Sequence, residues 1–300
     1  VRRRSVYRLD EVPDMTRGRV GALARYAASL LIILAGLSGC CVRVSMVDIP
    51  PLVQQKALGR FVAAHRGSPI RGEFPDNSLA AITRSIQRDI PFIEVDVRLS
   101  HEGDLFLFHD GSLTTRNSIS PSQLRGRAIQ SLSREERREI FLDKDLSLTI
   151  PSFEAALSAI KEGSASLQVD LKGESDELAI KVLQTAKSMG LLDRVLIQVR
   201  SPARITMIRE RFPNARVLAR CRTPKELSNA LAERVEFVEL ERWISSQAIT
   251  DAHRAGVKVL INLSSSRLDE NSTWEYFRSR GIDSITSDRA AEHSLTGRLR

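Results

Sequence analysis

From residue 61 onward, short aliphatic or β-branched runs alternate with amphipathic stretches. The runs predict strands at Phe61–Ala64, Phe92–Val97, Leu105–Phe108, Leu167–Leu171, Val195–Val199, Arg216–Arg220, Phe237–Leu240, Val257–Leu263 and Ser284–Thr286. Helical spacing predicts helices at Ser78–Arg88, Ser152–Ile160, Glu177–Met189, Ala203–Arg211, Pro224–Ala232, Ser246–Ala255 and Thr273–Arg280. Glycines at 163, 190, 256 and 281 stand where helices should end. This alternation is typical of βα units around a parallel sheet.

One more strand is predicted than an eight-stranded barrel needs. The gap between Val97 and Leu105 is too short for a helical crossover, which takes about a dozen residues. We therefore predict a hairpin or irregular excursion there, and an α/β fold of the TIM-type (β/α)8 class with a distorted barrel. An open doubly wound sheet is the alternative, but no glycine-rich phosphate loop follows the first strand.

Composition narrows the class of protein. With 42% apolar and 27% charged residues, the 300-residue chain is expected to be globular. Its formal net charge is +8, but residues 1–40 hold seven arginines and three acidic residues and thus supply +4 of it. The remaining excess is unclustered, so no nucleic-acid partner is expected. Three cysteines cannot form a disulfide framework, and Cys221 is predicted to be a buried thiol.

The N-terminal segment has the layout of an export signal. Three arginines precede an apolar run at 26–37, which is shorter than the roughly 20 residues that a membrane-spanning helix needs. The sequence Leu-Ser-Gly-Cys at 37–40 resembles the lipobox of bacterial lipoproteins, in which the cysteine is lipidated. A chance match after a buried helix is the alternative.

We therefore predict an export signal at 1–40 with lipidation at Cys40, a tether at 41–58 and a barrel domain at 59–300. Translation could start at Val1 or at Met15. The expected location is the bacterial cell envelope, on the membrane through the lipid anchor.

Polar residues lie in or directly after the carboxyl-terminal parts of four predicted strands, where βα barrels carry their working residues. They are His65 and Arg66, Glu94 and Asp96, His109 and Asp110, and Asp170 and Lys172. All should converge on one rim.

The acidic residues of this rim suit a metal. Glu94 and Asp96 are two residues apart, so a regular strand points both to the same side, toward the barrel axis. Together with Asp170 they offer only oxygen ligands, which favour Ca²⁺ or Mg²⁺. The alternative is a solvated strand face.

The two rim histidines suit proton transfer. His65 and His109 could supply a base that activates a nucleophile and an acid that protonates a leaving group. Arg66 and Lys172 are predicted to bind a substrate phosphate. Arg66 could instead pair with a rim acid, and Lys172 with Asp170 alone. Structural roles are expected for the other histidines, His101, His253 and His293.

Seven motifs follow one another along the chain: Ala64–Gly67 (AHRG), Pro75–Ile82 (PDNSLAAI), Ile93–Ser100 (IEVDVRLS), Leu105–Leu113 (LFLFHDGSL), Ile150–Leu157 (IPSFEAAL), Val169–Lys172 (VDLK) and Gly281–Ala290 (GIDSITSDRA). In this order they resemble the glycerophosphodiester phosphodiesterase family, whose fold is a TIM-type barrel. The resemblance implies that His65 and His109 are the acid and base pair and that Glu94 and Asp96 are metal ligands.

The chain departs from the family pattern at three places. Asp170 stands where the family usually has Glu, and Asp76 replaces the Glu of its Pro-Glu-Asn motif, in which Asp76 and Asn77 would support the metal ligands. Many members carry a Trp-Thr pair where this chain has Ile261-Asn262-Leu263.

The predicted reaction is metal-dependent hydrolysis of a glycerophosphodiester to glycerol 3-phosphate and an alcohol. A second hypothesis is a lipid phosphodiesterase of the lysophospholipase D or sphingomyelinase D type, with a lysophospholipid substrate. A third is a catalytically silent lipoprotein that binds phosphodiesters.

Overall fold

The computed structural model describes residues 62–70, 73–241, 245–264 and 269–293. Its strands are β1 Val62–Ala64, β2 Phe92–Leu99, β3 Leu105–Leu107, β4 Ser166–Leu171, β5 Val195–Val199, β6 Arg216–Cys221, β7 Phe237–Leu240, β8 Lys258–Asn262 and β9 Ser284–Ser287. All except β3 pair in parallel, and β1 pairs with both β2 and β9, so eight strands form a closed barrel. The predicted TIM-type barrel is confirmed.

The extra strand, β3, accounts for the distortion. It pairs antiparallel with the end of β2, from Val97 opposite Leu107 to Leu99 opposite Leu105, and it stands outside the closed ring. The hairpin predicted between these two runs is therefore confirmed. The chain then makes a long excursion before the next barrel helix, and the excursion has its own apolar cluster. That cluster contains Phe106, Phe108, Leu113, Leu124, Ile129, Leu132 and Ile140.

The helices are α1 Leu79–Gln87, α2 Arg134–Arg138, α3 Phe153–Lys161, α4 Asp176–Ser188, α5 Pro202–Arg211, α6 Pro224–Ala232, α7 Ser246–Arg254, α8 Asn271–Ser279 and α9 Ala290–His293. Serine side chains fix several starts: Ser78, Ser152, Ser175 and Ser245 each accept a hydrogen bond from the backbone amide three residues on. The short helices α2 and α9 were not predicted, because four or five residues carry too little periodicity.

The barrel interior changes from apolar to polar along its axis. Near the amino ends of the strands, Leu196, Leu218, Phe237 and Leu260 form an apolar cluster, and Phe92 packs against it with its ring 5.6 Å from that of Phe237. Side chains alternate along a strand, so the next inward position lies two residues further on. There the interior is polar, with Glu94, Gln168, Gln198, Arg220, Glu239 and Thr286. The apolar floor thus leaves the carboxyl end of the barrel for polar chemistry.

The predicted export signal, Cys40 and tether lie outside the described residues. Within the described part of the chain, no helix has the length and apolar character that crossing a membrane requires. Cys221 at the end of β6 is buried as predicted, and burial raises the pKa of its thiol to about 12.

Candidate active site

His65 begins a tight 3₁₀ turn that directly follows β1, and this turn fixes where its ring lies. Arg66 has a φ of 51° and Gly67 a φ of 81°. A Cβ on Gly67 would stand 3.0 Å from the Ala81 Cβ and from the Ile82 amide nitrogen, so only glycine lets α1 approach the turn so closely. The result is a buried His65 whose Nε2 lies 3.9 Å from Glu94 Oε2.

Asp288, immediately after β9, binds the other nitrogen of this ring. Its Oδ1 lies 2.5 Å from His65 Nδ1. A carboxylate at Nδ1 holds the imidazole with its Nδ1 proton toward Asp288, which leaves Nε2 for proton exchange. Sequence reasoning did not assign this residue a role, although its position at a strand end was a signal that could have found it.

His109 has a matching partner in Asp110. The distance from His109 Nδ1 to Asp110 Oδ1 is 2.8 Å, and Asn117 Nδ2 donates to the other carboxylate oxygen at 2.7 Å. His109 is more open than His65, with 37% of its side chain exposed. Both histidines are thus oriented through Nδ1.

The three predicted metal ligands come together. Glu94, Asp96 and Asp170 each offer an oxygen, and these oxygens all lie within 4.8 Å of one another. Asn77 supports the group from below: its Nδ2 donates to Asp96 Oδ2 at 2.8 Å, and its Oδ1 accepts from the Asp96 amide at 2.9 Å. Glu94 is 3% and Asp96 1% exposed, so these two carboxylates are shielded from bulk water.

Arg66 and Lys172 border this cluster. Arg66 pairs with Asp76 at 2.6 Å and approaches Asp96 at 3.4 Å. Lys172 Nζ lies 2.9 Å from Asp96 Oδ1 and 2.6 Å from Asp170 Oδ2. Lys172 therefore contacts two acids rather than Asp170 alone. Arg66 pairs with acids of the rim, which was the alternative to phosphate binding that the sequence left open. Both cations thus border the acidic cluster.

The carboxylates of β2 differ in their electrostatics. Burial raises the pKa of Glu94 to about 7, and the neighbouring charge of Asp96 adds to this shift. Burial also opposes ionisation of Asp96, but Lys172 and Arg66 outweigh it and hold the pKa of Asp96 well below its usual range. Glu94 therefore lacks a sufficient positive partner. An oxygen-only group with a carboxylate in that condition fits a hard divalent cation.

The histidines are shifted in opposite directions. Burial by itself would lower the pKa of His65, but Glu94 and Asp288 reverse this and raise it. Burial lowers the pKa of His109, and Arg66 and Lys172 lower it further, against the opposite effect of Asp96.

A second polar group continues from the acidic cluster across the barrel. Arg220 on β6 lies 3.4 Å from Asp170, and its Nε lies 3.2 Å from Glu239 and 2.7 Å from Glu241. Arg200 pairs with Glu241 at 2.6 Å. Burial opposes the charge of Arg220, but Glu239, Asp170 and Glu241 raise its pKa, so it stays charged. Residues on or directly after β5, β6 and β7 thus complete the polar rim.

The family model for the glycerophosphoryl diester phosphodiesterase family matches residues 65–292. The chain belongs to this family. The family predicted from the seven motifs is therefore confirmed, and the matched range includes every site residue described above.

Individual relatives of the family are distant. A glycerophosphodiester phosphodiesterase from Bacillus altitudinis is 26% identical over 140 residues, which are 45% of this chain and 56% of that protein. The chain thus spans little more than half the length of this relative. An Oleispira antarctica phosphodiesterase, solved in complex with the product sn-glycerol-3-phosphate, has a TM-score of 0.66 at 20% identity, over 81% of this chain and 98% of that one.

A glycerophosphoryl diester phosphodiesterase from Parabacteroides distasonis has a TM-score of 0.64 at 22% identity, over 82% of this chain and 91% of that one. At such identities the structural likeness establishes the fold. The geometry of the site, rather than this likeness, bears on the roles of individual residues.

Proposed function

We propose that the chain hydrolyses a glycerophosphodiester to glycerol 3-phosphate and an alcohol. The observation that carries this proposal is the pair of histidines, each with Nδ1 on a carboxylate, next to a cluster of three acids and two cations. The family membership supports it, as does the product named in the Oleispira antarctica structure.

The two histidines would share the proton transfers. One removes a proton from the nucleophilic oxygen as that oxygen bonds to phosphorus. The other donates a proton to the alcohol oxygen as its bond to phosphorus breaks, so that one water is consumed overall. The raised pKa of His65 favours it as the acid, and the lowered pKa of His109 favours it as the base. The nucleophile is either water or the adjacent substrate hydroxyl, and both routes use the same pair.

Glu94, Asp96 and Asp170 would hold the divalent cation, Ca²⁺ or Mg²⁺. When bound, that ion would withdraw charge from a phosphate oxygen and help to orient the substrate. Arg66 and Lys172 would face the remaining phosphate oxygens, where cationic hydrogen-bond donors stabilise the charge that develops during displacement.

We also propose that the protein is exported and held on the membrane of a bacterial cell envelope through a lipid on Cys40. The support is the sequence alone: an arginine-flanked apolar run followed by Leu-Ser-Gly-Cys.

The test of the reaction is an assay of the purified protein against glycerophosphocholine, glycerophosphoethanolamine and lysophosphatidylcholine, with Mg²⁺, Ca²⁺ or EDTA. We expect glycerol 3-phosphate from the first two substrates, and loss of activity in EDTA. His253→Ala is the control for variants of the two site histidines, because His253 pairs with Asp283, which directly precedes β9 at the opposite end of the barrel.

The other two hypotheses give different results in this assay. Preferred cleavage of lysophosphatidylcholine would favour the lysophospholipase D type of enzyme. Binding of glycerophosphodiesters without cleavage, under every metal condition, would favour the silent binding protein and reject the proposed reaction.

A further inference from the structure

Arg98 is a buried cation of β2, 7% exposed, that binds backbone rather than carboxylates. Its Nε donates to the Phe108 carbonyl at 2.9 Å, its Nη2 to the His109 carbonyl at 2.7 Å and its Nη1 to the Lys172 carbonyl at 3.3 Å. The ion pairs found among the described residues do not include Arg98. One guanidinium thus joins three backbone carbonyls from two separate segments.

These segments are the ones that leave the sheet with site residues on them. The ladder between β2 and β3 has its last pair at Leu107, so His109 is already outside it. The ladder between β2 and β4 has its last pair at Leu171, and Lys172 is the next residue. At both positions the backbone makes few of the hydrogen bonds that join strands in the sheet. Arg98 donates hydrogen bonds to the backbone carbonyls there.

We propose that Arg98 is a positioning residue that fixes His109 and Lys172 relative to the acidic cluster of its own strand. Because Asp96 and Arg98 are two residues apart, they share one face of β2. The guanidinium therefore links the segments that carry His109 and Lys172 to the strand that carries Asp96. The consequence for catalysis rests on the proposed function, which gives His109 and Lys172 their roles.

The chemistry of the side chain explains why arginine is suited to this place. A guanidinium is planar and presents five donors in a fixed fork, whereas a lysine ammonium is a compact charge that cannot reach three separate carbonyls in one plane. Burial lowers the pKa of Arg98, and the carboxylates of Asp96, Asp110 and Asp170 counteract this effect in part. Displacement of a catalytic group by about 1 Å can cost on the order of 10²-fold in rate.

The experiment compares Arg98→Met and Arg98→Lys with Arg209→Met. Arg209 also joins two backbone carbonyls, those of Ala215 at 2.9 Å and Arg234 at 3.2 Å, but near the amino ends of β6 and β7. We expect kcat to fall roughly 10- to 100-fold in Arg98→Met, to recover in part in Arg98→Lys, and to stay unchanged in Arg209→Met. Thermal unfolding of both methionine variants shows whether each is folded at the temperature of the assay.

A second readout is independent of turnover. In protein labelled with ¹⁵N-histidine, the ring signals of His109, assigned with His109→Gln, should shift in Arg98→Met, while those of His253 should not. If the wild type cleaves no substrate, the proposed reaction fails, yet this spectrum still tests the positioning role.

Unchanged His109 signals overturn the inference, as does a kcat for Arg98→Met equal to that of an active wild type. An equal loss of kcat in Arg209→Met also overturns it, because the effect would then be general destabilisation. If Arg98→Met does not fold, the same two measurements on Arg98→Lys decide.

Discussion

At the scale of single residues, the site gives two chemically identical side chains opposite tendencies. His65 is buried between Glu94 and Asp288, and these acids favour its charged form. His109 is more exposed, but its partial burial still disfavours its charged form, and so do Arg66 and Lys172. The free protein therefore holds one imidazole that tends to keep its proton and one that tends to lack it. An acid and base pair needs this difference.

The difference predicts how each histidine variant responds to the leaving group. His65→Ala and His109→Ala should each lower kcat for glycerophosphodiesters by about 10² to 10⁴. A p-nitrophenyl phosphodiester has a leaving group that needs little protonation, so it should restore most of the rate to His65→Ala and little to His109→Ala. Steady-state kinetics with both substrates measures this.

The double variant adds a check, since losses from two groups in one proton-transfer sequence should not multiply. Rescue of His109→Ala instead of His65→Ala would reverse the assignment. Wild-type rates in both single variants would remove the histidines from the mechanism.

The ionised form of Glu94 is the one that the proposed metal binding requires, but it is unfavourable for the stability of the metal-free protein. Its pKa is raised to about 7, so the folded protein binds more protons than the unfolded chain between about pH 4.5 and pH 7, and stability falls as the pH rises through this range. In EDTA at pH 8, Glu94→Gln should therefore increase the free energy of unfolding, by roughly 1–3 kcal/mol. The gain should disappear near pH 4.

Urea denaturation in EDTA at the two pH values measures this effect. Glu275→Gln, an exposed position on α8, is the control and should change little. Added Mg²⁺ or Ca²⁺ should stabilise the wild type and not Glu94→Gln. If Glu94→Gln is less stable than the wild type at pH 8, this account of the carboxylate is wrong.

Sequence reasoning found the histidines because each follows an apolar run, and the acids because they interrupt apolar strands near their carboxyl ends. It did not find Asp288 as the partner of His65, since the two are 223 positions apart and meet only when β9 closes the barrel against β1. Asn77 was expected beside the metal ligands, but its paired hydrogen bonds to Asp96 depend on a loop conformation with a φ of 59° that no spacing rule gives.

At the scale of strands, β5 to β7 carry a network of buried charges opposite β2. Glu239 is fully buried, and burial raises its pKa, although the charge of Arg220 counteracts this. Gln198 Nε2 donates to Glu239 at 3.4 Å, so β5 and β6 each contribute a partner to this carboxylate on β7. Removal of one charged member of this network should therefore destabilise the protein strongly, because the opposite charge is left buried and uncompensated.

Arg220→Met should destabilise the protein by about 3–5 kcal/mol, because it leaves Glu239 buried without its cation. Arg220→Met with Glu239→Gln should recover most of that loss, since the uncompensated charge is then gone while Arg200 still pairs with Glu241. The measurement is urea denaturation in EDTA, which keeps metal binding out of the comparison.

Arg216→Met is the matched control. Arg216 lies on the same strand and pairs with Glu236 at 2.7 Å, but that pair is partly exposed, and its loss should cost only about 0–1 kcal/mol. No recovery in the double variant would indicate that Arg220 stabilises the barrel through packing rather than charge.

Element boundaries followed from the sequence where the signal was strong. The predicted β5, β7 and α6 have the bounds that the structure gives, since β5 and β7 are short, mostly apolar runs and α6 is a periodic stretch with a proline at its start. The excursion between β3 and α3 was not resolved into elements, because its 3₁₀ turns and isolated bridges depend on contacts within its own apolar cluster.

At the scale of the whole molecule, the two ends of the barrel interior differ in polarity and in role. An apolar cluster at one end supplies packing that does not involve the rim, so the other end can concentrate charge. The proposed substrates are small and polar, which suits a rim of this composition.

The anchor is testable on the intact chain because two adjacent cysteines differ in their predicted fate. Leu37, Ser38 and Gly39 precede Cys40, which places Cys40 at the lipobox position and Cys41 one residue beyond it. In a bacterial host fed a labelled fatty acid, Cys40→Ser should accumulate as an unprocessed precursor without label, whereas Cys41→Ser should be processed, labelled and recovered with membranes like the wild type. Gel mobility, the lipid label and membrane fractionation report the three properties separately. Equal labelling of Cys40→Ser and wild type would place the lipid elsewhere, and absence of label from all three proteins would reject the anchor while leaving the barrel chemistry unaffected.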